Sequence, residues 1–158
     1  MKQITIFIMM LIIVLCLGII SIVVYIKYID PYRNIKVRTL DELNDWVHTN
    51  IKYKTDIYDN WQLPEKTMKL KTGDCEDKAI LFRDIAKKKF QIHGELVLIA
   101  VRQDIRLGHV IVIYNNRVYD PTMGVNMTIF EYFYKYDVVL VEFCIDKKIQ
   151  EKINATKN

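Results

Sequence analysis

Glycine and proline are scarce in this chain, with 5 and 3 among 158 residues. That excludes collagen-like and low-complexity architectures. Three cysteines are too few for a disulfide-stapled scaffold. No Cys-x-x-Cys pair occurs, which removes zinc-ribbon and thioredoxin-type redox sites. An excess of one charge is also lacking. The 23 Lys+Arg against 19 Asp+Glu leave a net +4, scattered along the chain rather than gathered in a basic stripe. No nucleic-acid partner is expected.

What is present is a long apolar run. Ile4 to Ile26 holds 23 residues without a charge, bracketed by Lys2 and Lys27. As a helix it would span about 34 Å, enough for a hydrocarbon core of ~30 Å. It lacks the short apolar core and small-residue exit of a cleaved signal peptide. Leu15 before Cys16 argues against lipoprotein cleavage. A single-pass membrane anchor over 1–27 is expected, with Tyr25 and Tyr28 at an interfacial aromatic belt. Residues 28–38 read as a juxtamembrane linker, 39–146 as one α+β domain and 147–158 as a polar tail. Counting Lys and Arg keeps the domain cytoplasmic, but long downstream domains translocate regardless of such counts. Orientation stays open and leans extracytoplasmic.

Thr39-Leu-Asp-Glu42 has the form of a capping box, followed by Leu40, Leu43, Trp46, Val47 and Ile51 at helical spacing. This predicts a helix over about 40–50. Residues 52–72 read as irregular, broken by Pro64. Gly73-Asp74 opens a second helix to about Lys89, with lysines in its last turn. Leu96–Val101 reads as a buried strand. His109–Tyr114 and Arg117–Asp120, around Asn115-Asn116, read as a hairpin. Residues 128–136 suggest a short helix and 138–145 a last strand. Helices packed on one face of three or four antiparallel strands give an α+β layout.

Cys75 stands at the start of the second helix, where free N–H groups favour a thiolate. Asp74, Glu76 and Asp77 oppose this unless they are turned away or neutralised, and Asp74 is placed to cap the helix. A cysteine nucleophile needs a base, and the base needs an orienting carboxylate. If Asn115-Asn116 is the loop, paired residue numbers sum to 231. Asp120 is then the diagonal neighbour of His109 on one face, about 7–8 Å away at the backbone. Ile111, Ile113 and Val118 share that face and are expected to pack on the Cys75 helix. His48 and His93 have no carboxylate at comparable spacing and read as surface residues. Cys144 reads as core filler, with a Cys75–Cys144 disulfide left open.

Trp61-x-x-Pro64, Gly73-Asp-Cys-Glu-Asp77-x-Ala79, Gly108-His109 and Tyr119-Asp120-Pro-Thr122 resemble the transglutaminase-like superfamily. The likeness is greatest to its bacterial and archaeal cysteine peptidases. Trp46–Tyr53 is similar to the helix preceding that core. The match covers about residues 39–122. The resemblance implies a papain-like fold with Cys75 as nucleophile, His109 as base and Asp120 as third member. Some relatives bind calcium beside the cysteine, which would fall on Asp74 and Glu76; otherwise no cofactor is implied. Lys78 departs from the aromatic or apolar residue common in relatives, and Ile111 falls near where many carry an aromatic. The Cys75 N–H, with Trp61 or Gln62, is a candidate oxyanion donor. The reading is a membrane-anchored cysteine peptidase or amidase acting on protein or peptide substrates. A catalytically inactive binding module is the alternative, and a metal site of Asp74, Cys75, Glu76 and His109 is a third possibility.

Overall fold

The apolar run does form a helix. The computed structural model, which describes residues 2–29, 31–56, 61–102 and 104–142, places α1 at Lys2–Ile29. Side chains are described for its residues 8–22, which are all exposed. Among the described residues no helix is long and apolar enough to cross a membrane, so this structure does not support the expected spanning anchor. Met1–Lys36 and Val37–Asn158 form separate units.

In the second unit, α2 (Leu40–Asn50) starts at Thr39, whose hydroxyl accepts from Glu42 N at 3.1 Å. The Glu42 carboxylate accepts from Arg38 N at 2.7 Å, one residue before the cap. Leu43 and Val47 are buried. β1 (Lys52–Tyr53) follows, and α3 occupies Pro64–Leu70. The irregular reading of 52–72 thus needs correction. Pro64 opens this helix instead of breaking one, because its missing N–H falls where no intrahelical bond is made. β2 (Thr72–Gly73) pairs in parallel with β1 and sets Tyr53 beside Gly73, two residues before Cys75.

α4 (Cys75–Phe90) buries Ala79, Ile80, Leu81, Phe82, Ile85 and Ala86. After it come β3 (Glu95–Val101), β4 (Asp104–Tyr114), β5 (Arg117–Asp120), β6 (Val125–Thr128), α5 (Ile129–Lys135) and β7 (Val138–Glu142). The sheet is antiparallel in the order β6-β5-β4-β3-β7, five strands where three or four were expected. β6 is the addition, a four-residue edge strand leading straight into α5. Residues 143–158, including Cys144 and the tail, lie outside the described residues.

The β4–β5 register is Tyr114↔Arg117, Ile113↔Val118 and Val112↔Tyr119, the pairing expected from a two-residue loop. Asn115 and Asn116 both take left-handed φ, 48° and 60°, as a twisted two-residue turn requires. The helix covering each face differs from expectation. Ile111, Ile113 and Val118 cluster with Val97, Ile99 and Tyr132 of α5, not with α4. α4 packs on the opposite face, where Phe82 stacks on Tyr119 with ring centroids 5.3 Å apart. Alternation sends neighbouring residues to opposite faces, and here both faces are covered.

Candidate active site

The site forms where the start of α4 meets the middle of β4 and the end of β5. Cys75 is the first residue of α4 and a free thiol. The first α4 bond runs from Lys78 N to Asp74 O, so the Cys75 N–H has no partner within the helix. Gly73 precedes it because Asp77 leaves no room: a Cβ at Gly73 would lie 2.5 Å from Asp77 Cβ. Asp77 accepts from Gln62 N at 2.6 Å and from Gln62 Nε2, tying the segment before α3 to α4. Burial pushes Asp77 up to about 6 despite those bonds.

His109 and Asp120 meet as the register requires. His109 Nε2 lies 2.8 Å from Asp120 Oδ2. Tyr132 donates its hydroxyl to the same oxygen at 2.6 Å. Thr122 N and Met123 N donate to Oδ1, each at 3.0 Å. Asp120 is wholly buried. Burial alone would raise it, but the His109 bond and charge, then the bonds from Tyr132 and Met123, hold it below the usual carboxylate range. An ionised carboxylate only accepts, so Nε2 carries the proton and Nδ1 is the basic nitrogen.

Cys75, His109 and Tyr132 line one cavity of about 310 Å³. The thiol itself turns to Glu76, donating to Oε2 at 3.1 Å. Burial pushes the thiol well above its ordinary range. The Glu76 charge adds to this, and the Val110 backbone N–H opposes it. Glu76 is pushed up to about 8, chiefly by burial. Burial also raises Asp74, which hydrogen-bonds Glu76.

Several expected roles change. Asp74 occupies the N-cap position but makes no capping bond, and its Oδ1 is buried without a partner. Trp61 is buried, and Gln62 directs its amide to Asp77 and to Thr72 O. Neither is among the residues lining the cavity. Among the described residues no group of three or more His, Cys, Asp or Glu could hold a metal ion. Asp74 and Glu76 are hydrogen-bonded to each other. His48 points Nδ1 at Thr122 O, 3.0 Å away, and its ring packs on Gly124.

Tyr132 escapes the sequence reading, and so does the burial of Lys78. Tyr132 braces Asp120; the Thr128-x-x-Glu131 capping box one turn earlier was the available signal. Lys78 is buried at 2% exposure, with Nζ toward His48 O at 3.4 Å. Burial lowers its pKa while the Asp120 charge raises it. No protein-family model and no curated protein matches the chain.

Proposed function

We propose that this protein is a transglutaminase-like cysteine peptidase or amidase with Cys75, His109 and Asp120 as its triad. The observation that carries the reading is the His109–Asp120 bond at 2.8 Å opening onto the cavity that also holds Cys75. In the reaction, the thiol leaves Glu76 by rotating about its Cα–Cβ bond and passes its proton to His109 Nδ1. The thiolate attacks an amide carbonyl. The Cys75 N–H at the positive end of α4 supports the oxyanion. His109 then protonates the leaving amine, and water resolves the thioester. Asp120 stabilises the imidazolium without taking its proton. Membrane attachment through Ile4–Ile26 belongs to the proposal and rests on the sequence alone.

A second reading, a binding module that keeps the fold without catalysis, is favoured by the Cys75–Glu76 bond and the raised thiol. The test is labelling of the full chain in detergent with a fluorescent vinyl sulfone. The peptidase reading expects Cys75 to be labelled in the wild type, unlabelled in Cys75→Ala and slowed in His109→Ala. Equal labelling of wild type and His109→Ala, at the rate of a free cysteine, would favour the binding module. Extraction of cell membranes with alkaline carbonate tests the anchor, since release of the chain would reject it.

A further inference from the structure

Building on the peptidase reading, we infer that the cavity beside Cys75 is a specificity pocket for one large apolar side chain. The scissile bond is then a main-chain peptide bond next to such a residue, and not a glutamine side-chain amide. Ile99 and Tyr132 are buried at 1% and 2% exposure, whereas Tyr53 and Met123 are 56% and 52% exposed at the mouth. Val101 and Tyr136 complete the wall, and the Tyr136 ring lies 4.6 Å from that of Tyr132. No Asp, Glu, Lys or Arg occurs among the described lining residues.

Two of the polar groups lining the cavity are committed elsewhere. His109 Nε2 and the Tyr132 hydroxyl both serve Asp120. A charged side chain entering here would be stripped of water with no Asp, Glu, Lys or Arg to meet it, and a primary amide would exchange water for the few donors and acceptors of a mainly apolar wall. An aromatic or branched aliphatic side chain loses nothing polar and buries its area. The volume of about 310 Å³ stands at the small end of ligand pockets, ~300–1,000 Å³, which matches one large side chain. The two fates of the thioester, hydrolysis and transfer to an amine, are not separated by the triad. The pocket instead selects the acyl donor, and it disfavours the glutamine side chain that protein crosslinking consumes.

The test uses dipeptidyl vinyl sulfones with Phe, Leu, Ala, Gln or Glu next to the warhead, on the full chain in detergent. Labelling of Cys75 is followed by peptide mass spectrometry. The Phe and Leu probes should label at least about tenfold faster than Gln or Glu. Val101→Phe, which fills the cavity, should slow the Phe probe and spare the Ala probe. Met123→Glu alters an exposed rim position that the core does not need, and it should recruit a Lys-containing probe that the wild type refuses. Even rates across the series with intact dependence on His109, or a fastest Gln probe, would overturn the pocket alone. Failure of every probe to label Cys75 would overturn the peptidase reading and the pocket with it.

Discussion

Replacing Glu76 with Gln should release the thiol of Cys75, and the pH dependence of the release is the diagnostic. Glu76 Oε2 accepts from Cys75 Sγ at 3.1 Å, so a thiolate formed there would stand beside an ionised carboxylate. Two unit charges about 4 Å apart, at an effective dielectric of ~20, repel by about 4 kcal/mol. That is about three tenfold steps in thiolate population, and water at the cavity mouth reduces it. The carboxyl of Glu76 titrates at about 8, because burial holds its proton. At about pH 6.5 it is neutral in the wild type, and the two proteins should alkylate at similar rates. At about pH 9.5 it is charged, and Glu76→Gln should alkylate at least about tenfold faster. The assay is iodoacetamide modification resolved by peptide, because Cys16 is also free and exposed. A rate ratio that stays flat with pH, or a slower variant at about pH 9.5, would refute the argument.

Thermal stability should fall as pH rises from about 4 to about 8. Asp77 is raised to about 6 and Glu76 to about 8, so the native state keeps protons that the unfolded chain releases. Melts of Glu76→Gln should lose the upper part of that decline. Asp120 works in the opposite sense: its lowered pKa adds stability that is present above about pH 4 and lost as pH falls through the folded value. Tyr132→Phe removes the 2.6 Å bond to Asp120 and should cost about 1–3 kcal/mol in urea unfolding, with the acid limb moving to higher pH. Gly124→Ala should also destabilise, by about 1–3 kcal/mol. Gly124 has φ +68°, and a Cβ would meet the His48 ring at 2.7 Å. An unchanged denaturation midpoint for Gly124→Ala would contradict the packing of α2 against that turn.

The pairing of His109 with Asp120 was legible because a two-residue loop fixes register, and register fixes which side chains share a face. The helix that covers each face was not legible in the same way. Alternation groups Ile111, Ile113 and Val118 but does not say whether α4 or α5 lies over them, and the answer is Tyr132 of α5. Pro64 was misjudged for a related reason, since proline ends one helix and begins another with the same fixed φ. Its neighbour Gln62 looked like an oxyanion donor by position along the chain. Its amide is held by Asp77, 15 residues on, a contact that no local pattern announces. Lys78 follows the acidic string where relatives carry an aromatic or apolar residue, and it is buried beneath α2 with His48 O in reach.

The acidic string around Cys75 looks hostile to a nucleophile when its charges are simply added. The three carboxylates do different things. Asp77 is turned into the protein and accepts two bonds from Gln62, so its task is to hold the loop. Asp74 and Glu76 bond each other, and burial raises both, which makes one shared proton the low-energy state near neutral pH. The charge facing the sulfur is then well short of three units. What remains is a thiol kept protonated chiefly by burial and donating to Glu76 on one side, with the buried Asp120 holding His109 Nε2 on the other. On the proposed mechanism the proton moves to the imidazole only when the thiol turns away from Glu76. A substrate filling the cavity would favour that turn by excluding water from the mouth, so Cys75 should react faster with a pocket-filling peptide probe than with small alkylating agents.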